Sequence, residues 1–176
     1  EGSTRLFREF GTAYAELLAT HQGLLGGAFG RHGGIQVDTE GDALFVVFDD
    51  AANAVAGCLE GQQALARHQW PVGGDLKVRI GLHTSEAVAV DGGYVDLGVH
   101  QVARICSAAH GGQVLLSEST VAAVGGQLPP GAGLASLGSF QLRGFVDPQK
   151  LFQLRHPDLR EQFPALRALG VVAHNL

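Results

Sequence analysis

Long apolar runs are missing from this chain: none approaches the ~18 residues needed to cross a bilayer, and nothing at the N-terminus reads as a signal peptide. No membrane contact is therefore expected. A positive charge balance is missing too. The formal net charge is −5, which gives no electrostatic reason for this domain to bind nucleic acid directly. There are only two cysteines, Cys58 and Cys106, both inside apolar helical patterns and without CxxC spacing. They read as reduced core residues of a cytoplasmic protein. The eight histidines are scattered, with no HExxH and no paired Cys/His spacing, so a zinc site has no support. Charged residues are only 16%, but apolar residues make up 45%, the composition of a folded domain and not of a disordered segment.

What is present is a chain of 176 residues, enough for one domain with a proper core. It starts at Glu1 without methionine and is read as a fragment of something longer. Apolar residues from Leu6 to Phe29 recur at three- and four-residue spacing and predict one long helix over 5–29, capped by Ser3 or Thr4. Residues 35–39 and 43–48 then read as two strands joined by a tight turn at Glu40-Gly41-Asp42. Asp49 and Asp50 precede a second helix. The alternation in "LKVRIGLHT", 76–84, predicts a strand, followed by a short one at 86–90. A third helix over 99–109, a strand in 111–117, a short helix at "STVAAV" and strands near 136–142 and 151–154 complete the pattern.

The order helix, strand, strand, helix, strand predicts an α+β fold, a ferredoxin-like βαββαβ core with an antiparallel-rich sheet and helices on one face. It lacks its first strand, which is expected just before Glu1, because an unpaired inner edge would be a liability. The segment after 155, "HPDLREQFPALRALG" and beyond, reads as a linker with a few anchoring apolar residues over 156–176.

These elements carry motifs in a recognisable sequence. "EGST" at 1–4, "TEGDALFVVF", "VRIGLHTSEA", "YVDLGVHQVARI" and "GGQVLLSEST" follow one another. Over about residues 1–155 the chain resembles the class III nucleotidyl cyclase domain, the adenylyl/guanylyl cyclase homology domain. The linker is similar to those that follow such domains at the N-terminus of large bacterial regulators carrying a P-loop ATPase and often a DNA-binding output region.

The resemblance implies attack of a ribose 3′-hydroxyl on the α-phosphorus of a nucleoside triphosphate, giving a 3′,5′-cyclic nucleotide and pyrophosphate. It implies two Mg²⁺ or Mn²⁺ ions on carboxylates, and a homodimer with active sites at the interface. By the same resemblance Asp42 matches the second metal carboxylate, and the first would fall upstream of Glu1. Arg104 matches the arginine that stabilises phosphate charge in the transition state, a task suited to a permanently charged fork of donors. Arg143, in "FQLRGF", stands where the family has a triphosphate-binding lysine.

Three positions depart from the family pattern. His100 replaces the asparagine that orients the ribose; an imidazole can still donate one hydrogen bond. Asp38 stands where an adenine-selecting lysine would be, and Gly93 where its acidic or hydroxyl partner would be. Asp38 could accept from the N1–H and exocyclic amine of guanine, or sit in solvent with no such role. ATP is the expected substrate ahead of GTP. The alternative to a cyclase of low activity is a degenerate domain serving as a nucleotide-binding or dimerising regulatory module.

Overall fold

Gly11 adopts φ +53°, a conformation that L side chains rarely take, and it divides the N-terminal helical stretch. Where one helix is predicted, the chain forms α1 (Ser3–Phe10), a 3₁₀ turn (Gly11–Ala13) and α2 (Tyr14–Arg31). The computed structural model describes residues 3–40, 43–71, 76–86, 89–90, 93–94, 97–168 and 170–172. They fall into two compact units, Glu1–Val78 and Arg79–Leu176.

In the first unit, α2 is followed by β1 (Ile35–Glu40), β2 (Ala43–Val47) and α3 (Ala51–Arg67). Asp50 caps α3, its Oδ1 accepting from the Asn53 N–H at 2.8 Å. Buried Leu17, His21, Leu25, Ala28 and Phe29 on α2 recur at three- and four-residue spacing, as do Val55, Cys58, Leu59, Gln62 and Leu65 on α3. The two helices approach closely because α3 carries glycine where α2 presses: a Cβ on Gly61 would lie 2.9 Å from Leu25 Cδ2, and one on Gly57 3.5 Å from Phe29 Cδ1. The single tryptophan, Trp70, finishes this unit's helical layer, donating from Nε1 to the Leu65 carbonyl at 3.0 Å.

Glu60, on α3, joins this unit's surface to the end of α2. Its carboxylate meets the Arg31 guanidinium at 2.6 Å and His32 Nε2 at 2.7 Å. The Arg31 hydrogen bond, against a smaller opposing effect of burial, holds the Glu60 carboxyl below its ordinary value of 4.5. A depressed carboxyl stabilises the fold above its unfolded pKa and loses that contribution as pH falls through the folded one. The pair is largely solvent-exposed, so the effect is small. Urea unfolding of the wild type and Glu60→Gln should differ at pH 7 and converge as pH falls through the lowered Glu60 carboxyl's titration; a gap that persists in strong acid would contradict this.

β1 and β2 pair antiparallel, with Glu40 opposite Ala43 and a bulge between Gln36 and Asp38. Among the described residues β2 pairs with no other strand.

The second unit is built on the mixed sheet β3-β6-β8-β7-β9. Its strands are β3 (Ile80–Leu82), β6 (Val114–Ser117), β7 (Gly133–Gln141), β8 (Gln149–Arg155) and β9 (Gly170–Val172). Only β3 and β6 run parallel; every other neighbour is antiparallel. A separate ribbon pairs β4 (Ala89–Val90) with β5 (Gly93–Tyr94). The helices are α4 (Leu97–Ala108) and α5 (Glu118–Val124).

β3 is shorter than the alternation over 76–84 predicts. The Val78 carbonyl accepts from buried Gln62 Nε2 at 2.8 Å instead of joining a ladder, and pairing begins only at Ile80. The core places Ile105 and Ala108 of α4, with Ala109 just beyond it, against Leu115, Phe140, Leu142 and Leu151. Val114 and Leu116, which the pleat turns the other way, are buried as well. The segment expected as a linker is anchored here: Leu166 and Ala168 pack on the same core, and β9 lengthens the sheet beside β7.

Candidate functional site

α4 carries two of the predicted site residues. His100 and Arg104 are four apart, one above the other on a helix face, and both side chains are exposed. Ile105 beside Arg104 is fully buried, which fixes the rotation of α4 and turns Arg104 outward. Where Arg104 leads is set by the turn after β7. Gly144 there has φ +85°, and a Cβ on it would lie 3.9 Å from Arg104 Nε. The guanidinium of Arg104 thus rests beside the turn that carries exposed Arg143.

Neither arginine has a carboxylate partner among the described residues. A permanently charged guanidinium left without counter-charge, beside a turn that carries a second exposed arginine, favours an anion. Gly144 is the member of this group that motif reading passes over. Its signal is the Arg-Gly pair in "LRGF".

α4 is held by an unusually close approach to β3. A Cβ on Gly81 would lie 2.6 Å from Cys106 N and 2.9 Å from its Cα, so only glycine lets the helix backbone sit at this depth. Burial pushes the Cys106 thiol above its usual range, with the charge of Arg79 opposing. The thiol therefore stays protonated near neutrality and donates to the Arg79 carbonyl at 3.5 Å. It packs as a core group and not as a nucleophile.

The "GLHT" and "LLSEST" motifs meet at the ends of the parallel strands. His83 Nδ1 lies 3.0 Å from Ser117 Oγ, which caps α5 by accepting from the Thr120 N–H. Ser119 Oγ donates to the Thr84 carbonyl at 2.8 Å, and Thr84 Oγ1 donates to Thr120 Oγ1 at 3.2 Å. This cross-brace, which the sequence reading did not single out, ties β3, β6 and α5 together.

The remaining predicted residues are placed only in part. Asp38 lies on β1 opposite Phe45, at the bulge. Gly93 begins β5 and pairs with Val90. Asp42 lies outside the described residues, in the Gly41-Asp42 connection between paired Glu40 and Ala43. The described residues contain no cluster of three or more His, Cys, Asp or Glu able to hold a metal. No helix among them is long and apolar enough to cross a membrane.

No family model matches the chain. It is 38% identical over 169 residues to an uncharacterised protein of Mycobacterium tuberculosis, covering 95% of this chain and 57% of that one. The chain thus spans little more than half the length of that relative. It is 29% identical over 142 residues to an adenylate cyclase of Lachancea kluyveri, covering 66% of this chain and 8% of that one. A solved adenylate cyclase structure from Trypanosoma brucei superposes with a TM-score of 0.80 at 25% identity, over 95% of this chain and 88% of the other. The chain is a class III cyclase-type domain. In a cyclase-type domain the motifs that prompted the resemblance are also those that shape the second unit: "RIGLHT" supplies β3 and Gly81, and "VHQVARI" supplies α4.

Proposed function

We propose that this domain is a nucleotidyl cyclase that closes ATP, in preference to GTP, into its 3′,5′-cyclic nucleotide in intracellular signalling, acting as a homodimer with active sites at the interface. The observation that carries the reading is the exposed Arg104 guanidinium beside the Arg143-Gly144 turn, with no carboxylate partner for either arginine among the described residues. A nucleoside triphosphate is the substrate class such a cationic corner suits. The ribose 3′-hydroxyl forms the new bond to the α-phosphorus, the bond to pyrophosphate breaks, and the hydroxyl proton leaves. Arg143 binds the triphosphate, Arg104 stabilises the charge that develops on the phosphates, and His100 donates a hydrogen bond to the ribose.

Asp42 supplies one of the carboxylates for Mg²⁺ or Mn²⁺. Its hard oxygen donors suit those ions, and Asp38 and Glu40 on β1 add negative potential nearby in sequence. The bound ions would lower the pKa of the attacking hydroxyl and offset phosphate charge.

His100 and Gly93 support a second reading, a domain that binds nucleotide or pairs with a second copy without turnover. The test is the native-length protein assayed with Mn²⁺ and either ATP or GTP. Cyclic AMP should form faster than cyclic GMP, and EDTA should stop both. A folded dimer giving neither product overturns the enzymatic reading in favour of the regulatory one.

A further inference from the structure

Residues 156–168 cross the second unit's sheet as an irregular strap, and they touch α4 where that helix ends. The Arg167 N–H donates to the Ala108 carbonyl at 3.0 Å, satisfying one of the carbonyls a helix leaves unpaired in its last turn. Two residues beyond the helix, His110 Nε2–H donates to the Ala165 carbonyl at 2.9 Å. Leu166 and Ala168 pack on the cluster formed by Ile105, Ala108 and Ala109. The far end of the strap is pinned separately. Gln153 Nε2 donates to the Glu161 carbonyl at 2.8 Å, and Arg155 pairs with the Glu161 carboxylate at 3.0 Å.

Between these pins the strap does not lie flush. An open-sided cavity of about 710 Å³ separates it from the sheet, with Gln113, Leu137 and Phe140 below and Phe163 and Pro164 above. Its attachment therefore rests on a few discrete hydrogen bonds more than on continuous packing. A segment held in this way belongs to the low end of local stability. The strap is also braced internally, with Arg160 over the Phe163 ring at 4.8 Å, so it can move as a piece.

We propose that the strap is a positioning device for Arg104: docked, it holds the last turn of α4 and keeps Arg104 beside Gly144; lifted, it releases the helix end and withdraws Arg104 from the phosphates. Ala108 lies one turn past Arg104 on the same helix, so a change at one is carried directly to the other. The role assigned to Arg104 rests on the cyclase reading; the mechanical link between strap and α4 does not.

The test is the double variant His110→Ala, Arg167→Pro in the native-length protein, since proline removes the one amide donor at 167. Hydrogen exchange over residues 101–108 should accelerate about tenfold while β6 and β8 keep their protection, and kcat should fall about tenfold with KM little changed. If 157–168 loses protection and α4 keeps wild-type exchange, the link is overturned. Should the double variant lose protection throughout, the single pair His110→Ala and His110→Gln decides. The alanine should loosen α4 and the glutamine, which keeps a donor, should restore it; equal behaviour of the two overturns the proposal. If α4 loosens as expected in a protein that forms no cyclic nucleotide, the strap link stands and the cyclase reading fails.

Discussion

Arg104→Ala is expected to reduce cyclic nucleotide formation about 10²- to 10³-fold, the usual loss when one preorganised donor to a developing anion is removed. The fall should appear in kcat, because the interaction strengthens as charge moves onto the leaving pyrophosphate. Arg104→Lys should recover little of it. A lysine is a point charge on a flexible stem, without the planar fork of donors that the guanidinium holds beside the glycine turn. Asp42→Ala should be at least as severe in the same assay, through loss of a metal carboxylate, and Arg104→Ala, at an exposed position, should melt within about 1–2 °C of the wild type, as surface substitutions do. Wild-type turnover in either variant would remove that residue from the proposed site. A large drop in melting temperature for Arg104→Ala would instead mark a structural role.

Gly81→Val has the largest expected effect on stability. Its new Cβ would be driven to 2.6 Å from Cys106 N, and the obstacle is helix backbone, which no rotamer change can move aside. Relief requires β3 and α4 to separate, at a cost of about 3 kcal/mol or more. For a chain of this size that corresponds to a melting temperature lower by roughly 6–12 °C. Activity should fall as well, since separation displaces the helix bearing Arg104. Gly26→Ala provides the contrast. On α2, a Cβ at that position meets nothing within 4 Å, and replacing a helical glycine there should raise stability by about 0.5–1 kcal/mol. Equal effects from the two substitutions would contradict the packing argument.

Much of the fold is legible in the sequence where periodicity is strong. The hairpin strands over 35–48 and the helix around 99–109 form close to where alternation and helical spacing place them. The readings that shifted did so for tertiary reasons. The apolar spacing of 5–29 continues straight through Gly11, and the pattern alone does not reveal that this glycine turns to positive φ. The alternation of Leu76 and Val78 is that of a strand, yet a glutamine on α3 takes the Val78 carbonyl.

The site divides in the same way. Arg104 and Arg143 could be picked out by motif, but the placing of Arg104 beside the turn at Gly144 depends on that turn and on the burial of Ile105, which no local pattern encodes. The strap was the least legible part. Its composition is that of a linker, and two of its pins to α4 end on backbone carbonyl or amide groups, which every residue has.

Trp70 closes the first unit's helical layer, where its indole reports on the foot of α3 and the His68 ring 4.5 Å away. An emission melt therefore follows that helical layer of the first unit. Far-ultraviolet dichroism sums the helices and strands of both units, so comparing its trace with the emission melt converts a single native tryptophan into a meter of whether the first unit unfolds together with the rest.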